Sequence, residues 1–178
     1  MEPKMMILPL SNTHRDAAAA LILPIQQGEF NVPITLADQP DILDLEAFYF
    51  RPGGHFWGAF AGDELVGTIG LLAPAAAPVE TPATAPIGVI RKMFVKQAFR
   101  GKEWRIAQQL LDTLLAYAQA HGMENIYLGT LDHMKAAHRF YERNGFTRIA
   151  KENLPPAFPL MSVDNVFYQL RIIKSARP

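Results

Sequence analysis

The chain has 178 residues, 49% of them hydrophobic and 19% charged, which is enough apolar material for one core of ordinary domain size and too little charge for a disordered chain. Lys plus Arg and Asp plus Glu each number 17, so the balance argues against wrapping nucleic acid or coating an anionic membrane, and any anion site must be local. The absence of cysteine excludes disulfides, thiolate metal sites and a Cys nucleophile, and it fits a reducing cytoplasm, where the chain is expected to work.

Residues 5–10 form a short apolar run that predicts a strand, ended by Ser11 and Asn12 ahead of a helix over 13–27 that Gly28 closes. The apolar stretch 17–25 is about half the ~20 residues of a membrane span and carries Pro24, so it reads as a helix face, and no membrane or export segment is expected. A second helix is predicted from Pro40 or Asp41 through Phe48. The hydrophobic period then changes to two. Phe56, Gly58 and Phe60 stand before Ala61-Gly62-Asp63-Glu64, and Leu65, Gly67, Ile69 and Leu71 after it, which is a tight hairpin. Residues 73–86 carry four prolines and predict a long loop.

Alternation resumes from Ile87, with Val89, Met93 and Val95 set against Arg91 and Lys92. Ala107, Leu110, Leu111, Leu114 and Ala118 then give the clearest helical face in the chain, stopped at His121-Gly122. A strand over 125–131, a helix over 133–143 capped by Asp132 and ended by Asn144-Gly145, and strands over 146–150 and 166–172 complete the order, with a Pro-rich crossing at 154–159. The result is β-α-α-β-β-β-α-β-α-β-β, a mixed α/β arrangement expected to form a single domain over 1–178.

The stretch between the third hairpin-side strand and the long helix concentrates the chemistry. Arg100, Lys102 and Arg105, with Gly101 among them, fall where the first N–H groups of a helix and the positive end of its dipole point outward, and an anion belongs there. Neither a P-loop nor a G-x-G-x-x-G dinucleotide loop is present. A solvated basic corner remains the alternative.

That stretch, together with Ala136-Ala137-His138-Arg139-Phe140-Tyr141-Glu142-Arg143-Asn144-Gly145-Phe146, resembles the two signature segments of the GCN5-related N-acetyltransferase (GNAT) superfamily. The resemblance implies a central twisted sheet of about seven strands, mixed and mostly antiparallel, flanked by about four helices. It implies acetyl-CoA as co-substrate and an amine-bearing acceptor, which attacks the thioester directly in a ternary complex. The family pattern Arg/Gln-x-x-Gly-x-Gly/Ala reads here Arg100, Glu103 and Arg105: the leading Arg and neighbouring Gly101 match, whereas Glu103 and Arg105 replace small residues. By resemblance, Arg100, Gly101, Lys102, Glu103, Trp104 and Arg105 hold the cofactor's diphosphate, and Phe94 and Val95 pair with its pantetheine arm. A carboxylate at ~6 Å from a phosphate charge is repelled by about 0.7 kcal/mol in water and about 3 kcal/mol at an effective dielectric of 20, which one of the three cations can offset.

Tyr141 matches the family's Tyr that protonates the departing thiolate, and a phenol of pKa near 10 keeps its proton for that task at neutral pH. Read alone, a Tyr on the helix face of Met134 and Ala137 equally packs against a sheet. Met134 stands where many family members carry an Asn that contacts the cofactor. Glu29, Asp38, His55 and Glu80 are available as a base for the acceptor amine, and no spacing singles one out. His55 opens the first hairpin strand near the family's acceptor side, and Arg91 or Lys92 turns inward, where it meets either an acceptor carboxylate or a structural acid. The other histidines form no metal-ligand spacing, and no metal is expected. Family habit implies a homodimer. A non-catalytic acyl-CoA-binding module is the competing expectation, on the strength of Glu103, Arg105 and Met134.

Overall fold

The structure is a computed structural model that describes residues 1–74 and 86–172. Most of the Pro-rich loop, including Glu80, lies outside them. Seven strands hydrogen-bond in the order β1-β2-β3-β4-β5-β7-β6: β1 Met5–Pro9, β2 His55–Ala61, β3 Glu64–Leu72, β4 Ile87–Val95, β5 Asn125–Thr130, β6 Thr147–Ile149 and β7 Val166–Arg171. The β4–β5 pair is parallel, whereas β1–β2, β2–β3, β5–β7 and β6–β7 are antiparallel, so the sheet is mixed and mostly antiparallel. Among the described residues four α-helices accompany it: α1 Arg15–Leu23, α2 Pro40–Leu43, α3 Ile106–Ala120 and α4 Lys135–Arg143. Two compact units divide the chain, Met1–Leu72 with Arg91–Ala116, and Ala73–Ile90 with Tyr117–Pro178.

In the first unit, β2 and β3 form the hairpin expected from the alternation, turning at Gly62 with a φ of +60°. Gly54 precedes it for a steric reason: a Cβ there would lie 1.9 Å from the Leu71 carbonyl oxygen and 2.9 Å from that of Tyr49. The first helix departs from the predicted 13–27. A 3-10 turn, Asn12–His14, leads into α1, and Pro24, which has no N–H to give, opens a π-helical stretch through Glu29. Gly28 does not close it; the left-handed residue is Asn31, with a φ of +52°. The second helix stops at Leu43 because Asp44 turns back to accept the Ala47 N–H at 3.0 Å, and a further π turn follows over Glu46–Phe50. Ala18 and Ile22 of α1 pack against Ile42 of α2, with Phe94 of β4 and Leu65 of β3 alongside. Leu10, Leu45, Tyr49 and Phe56 form a second fully buried group.

In the second unit, β5 and β7 pair over their full lengths and β6 adds to the far side of β7. Helix α4 starts at Lys135, two residues later than predicted, because Asp132 is not its cap: the Asp132 N–H donates to Asn165 Oδ1 at 2.9 Å and its carboxylate meets Lys135 Nζ at 3.2 Å. The crossing at 154–159 is anchored by buried Phe158, whose ring stands edge-on to Phe167 at 5.9 Å.

Candidate functional site

The connection from β4 to α3 belongs wholly to the first unit. After Val95 the chain makes a 3-10 turn, Gln97–Phe99, and α3 begins only at Ile106, so residues 100–105 form a loop before the helix and not its first turn. Two positive φ angles shape the loop, +119° at Gly101 and +52° at Arg105. The Arg105 N–H bonds back to the Gly101 carbonyl at 3.2 Å and Gln109 Nε2 donates to the Trp104 carbonyl at 2.9 Å, which ties the loop to the start of α3. Among the described residues, the N–H groups of Gly101, Lys102, Glu103 and Trp104 have no hydrogen-bond partner. Four successive donors ahead of a long helix suit a diphosphate. Lys102, Glu103 and Arg105 are exposed, and Trp104 rests on Phe99 with ring centroids 5.4 Å apart.

Arg100 has a task the sequence did not disclose. Its guanidinium grips both oxygens of Glu29, one at 2.8 Å, while Nε donates to the Val95 carbonyl at 2.8 Å. It therefore staples the end of the π stretch to the end of β4, and the same hydrogen bonds hold the Glu29 carboxyl below its ordinary pKa. Glu29→Gln separates two roles for Arg100. If Arg100 serves as a staple, acetyl-CoA binding measured by calorimetry weakens; if it serves as a phosphate ligand restrained by Glu29, binding tightens. We expect a weakening of about threefold to tenfold, in keeping with a half-exposed charged contact.

Arg105 carries a Cβ in the left-handed region, where L-residues pay about 1–2 kcal/mol, at the position where the family pattern has Gly or Ala. Arg105→Gly is therefore expected to stabilise the fold by about 0.5–1 kcal/mol after the extra chain entropy of glycine. Thermal melting should rise by roughly 1–4 °C, and no rise would contradict the strain.

Tyr141 lies in the second unit, buried on α4. Its ring stands edge-on to Phe146 at 5.4 Å and tilted to Tyr168 at 6.1 Å, and burial pushes its phenol well above the ordinary value, so it holds its proton throughout the neutral and mildly alkaline range. The helix is fixed on three sides. His138 Nε2 meets the Leu131 carbonyl at 2.9 Å, Arg148 Nη2 approaches His138 Nδ1 at 3.4 Å, and Tyr168 donates to Glu142 Oε1 at 3.0 Å. Met134 is the residue before α4, and the Thr130 hydroxyl reaches its sulfur at 3.7 Å.

The acceptor-side candidates spread over the first unit. His55 is half-buried between Phe50, 4.4 Å away, and Trp57, stacked at 4.5 Å. Asp38 is exposed and receives the N–H and hydroxyl of Thr35. Of the adjacent cations on β4, Lys92 turns inward and is 8% exposed, with a φ of +54° that interrupts the strand's alternation, while Arg91 is half-buried and electrostatically coupled to Tyr49. Lys92 Nζ lies 3.5 Å from Asp41 Oδ2, which also accepts from the Tyr49 hydroxyl at 2.6 Å, and the Thr68 hydroxyl donates to the Lys92 carbonyl at 2.7 Å. Asp41 and Tyr49 were not among the sequence candidates. In Pro40-Asp41 an acid reads as an ordinary first-turn residue, and only the inward Lys nearby hints at a buried partner.

Among the described residues no group of three His, Asp or Glu could hold a metal ion, and no helix is long and apolar enough to cross a membrane. The profile of the Acetyltransferase (GNAT) family matches residues 20–146. Over 134 residues the chain is 31% identical to N-acetylaspartate synthetase of Danio rerio, covering 74% of this chain and 44% of that one. It is 32% identical over 136 residues to probable N-acetyltransferase family 8 member 5 of Mus musculus, covering 74% and 56%. The chain thus spans about half the length of these curated relatives. Among solved structures, an acetyltransferase of the GNAT family from Staphylococcus aureus Mu50 superposes with a TM-score of 0.85 at 34% identity, over 94% of this chain and 99% of that one. The protein yncA from Salmonella typhimurium, solved with its cofactor acetyl-CoA, shares the fold with a TM-score of 0.70 at 16% identity, over 98% of each chain. With seven strands and four helices in the predicted order among the described residues, and a profile match across most of its length, the chain belongs to the GNAT family of acetyltransferases.

Proposed function

We propose that residues 1–178 act as one N-acetyltransferase domain that moves the acetyl group of acetyl-CoA to an amine of a small molecule or peptide by direct attack in a ternary complex. The observation that carries this reading is the run of four N–H groups without a partner among the described residues, at Gly101, Lys102, Glu103 and Trp104 ahead of α3, in a chain with relatives named as N-acetyltransferases. In this reading these amides bind the diphosphate with help from Lys102 and Arg105, and Arg100 shapes the loop. Phe94 and Val95 align the pantetheine arm. Tyr141 gives its proton to the thiolate, with its phenol kept protonated by burial. His55 and Arg91 face the acceptor. Without a cysteine there is no acyl-Cys intermediate, which favours direct transfer. We place the protein in the cytoplasm, as a homodimer, with no nucleic-acid or membrane partner; size-exclusion chromatography with light scattering tests the dimer.

Calorimetry with acetyl-CoA, followed by a thiol-release assay over a panel of amines, tests the reading. Binding with amine-dependent thiol release supports it. One observation favours a second reading, a non-catalytic acyl-CoA-binding module: the exposed Glu103 carboxylate stands among the amides that would meet the diphosphate. Tight binding without turnover on any amine would select it.

A further inference from the structure

Asp41, in the first unit, is 7% exposed. The hydrogen bond from Tyr49 and the ion pair with Lys92 both fall on Oδ2. Among the described residues no hydrogen bond reaches Oδ1, and the side chain keeps 9% of its surface exposed. Buried carboxylates ordinarily satisfy both oxygens. Here one oxygen fixes the group and the other is left as an acceptor in a largely buried setting.

Its place on the fold matters as much. Lys92 precedes Phe94 by two residues on β4, about 7 Å at the strand rise. In the function proposed above, the diphosphate lies at residues 101–105 and the pantetheine arm runs back along Val95 and Phe94, so the thioester end points towards Lys92 and the carboxylate paired with it. Among the described residues, the two other carboxylates named as a base are less suited. Glu29 is clasped on both oxygens by Arg100, and Asp38 is exposed.

We infer that Asp41 binds the ammonium of the acceptor through Oδ1 and removes one of its protons, serving as the general base of the transfer. This rests on the proposed transferase function. The ammonium gives a proton to Oδ1, leaving a neutral amine and a carboxylic acid. The nitrogen lone pair forms the C–N bond while the thioester C=O opens to an oxyanion; as it recloses, the C–S bond breaks and the electron pair leaves on sulfur. Tyr141 gives that sulfur a proton and recovers one from the new amide nitrogen, and Asp41 returns its proton to solvent. Lys92 and Arg91 from β4 are cations at this corner and Tyr49 is its phenol, while α1 packs Ala18 and Ile22 against Ile42 of α2 and Arg15 Nη1 donates to the Leu43 carbonyl at 3.5 Å. The acceptor is thereby a primary ammonium ion, not a neutral hydroxyl or thiol compound.

The test uses the native protein and Asp41→Asn at saturating acetyl-CoA, with tyramine, L-aspartate, L-lysine and a peptide with a free N-terminus as acceptors, the best of them for the native protein being carried forward. At pH 7 the variant is expected to lose about 100-fold or more in kcat/KM with acetyl-CoA affinity unchanged. The deficit should then shrink about tenfold per pH unit up to pH 9–10, because the amine sheds its own proton there. A native rate in the variant, or a deficit of the same size at every pH, would overturn the assignment while leaving the transferase function standing. A native protein that binds acetyl-CoA and releases no thiol with any amine would overturn both. Should Asp41→Asn fail to fold because Lys92 loses its partner, the double variant Asp41→Asn/Lys92→Met, which removes both charges, is read by the same criteria.

Discussion

Tyr141→Phe is expected to lower kcat by about 100- to 10,000-fold with acetyl-CoA binding intact, the range that loss of a general acid produces. The substitution removes one hydroxyl and keeps the ring, so the edge-on contact with Phe146 and the tilted contact with Tyr168 survive and the fold should hold. Burial raises the phenol's pKa. In the native protein, therefore, the pH–rate profile should show no falling limb from this acid below about pH 10. The same shift has a sign for stability. A group whose folded pKa is raised contributes stability that is fully present below its unfolded pKa, near 10, and is lost as pH rises through the folded value. Tyr49, buried beside Asp41, shifts in the same direction, so the fold is expected to weaken as pH climbs above about 10. Unchanged thiol release by Tyr141→Phe at saturating acceptor would remove Tyr141 from the mechanism.

The second large effect is on stability. Lys92→Met deletes the cation of a pair whose side chains are 5% and 9% exposed, and leaves the Asp41 carboxylate with the Tyr49 hydroxyl alone. Breaking one side of a buried pair costs about 3–5 kcal/mol, because the remaining charge keeps its desolvation penalty and loses its partner. For a chain of this size that corresponds to a fall in melting temperature of roughly 6–20 °C. Asp41→Asn/Lys92→Met removes both charges and should recover most of the loss, since an apolar or neutral replacement of a whole buried pair is often close to neutral. A Lys92→Met variant that melts within about 2 °C of the native protein would show that the pair contributes little. Chemical denaturation of the single and double variants separates the coupling from the individual substitutions.

The order of elements was readable because each rests on a local pattern. The hairpin at Gly62-Asp63, the face of Leu110, Leu111 and Leu114, and the stop at Gly122 need only residues close in sequence, and the described fold reproduces them. Helix ends were less readable. Asp44, Pro24 and Asn31 override propensity through backbone contacts and left-handed geometry that composition does not encode. In the candidate site, the sequence marked Val95 to Arg105 as the candidate anion loop, but the contacts within that loop were not legible. Arg100 meets Glu29 across 71 positions, and no local signal joins them. Arg105 carried a partial signal: it stands where the family pattern has Gly or Ala, and its backbone here is left-handed. Alternation required that Arg91 or Lys92 turn inward, yet the φ of +54° that decides for Lys92, and the Asp41 that receives it, emerge only when α2 packs beside β4.

The central claim is that this chain transfers acetyl from acetyl-CoA to an amine. Its most direct test follows thiol release from acetyl-CoA and the mass of the acceptor together, in the same reaction, across a panel of primary amines. Thiol appearing only when an amine is present, in equal amount to an acetylated amine product, is the result predicted. Acetyl-CoA bound by the protein, with no thiol and no acetylated product from any amine, would contradict it.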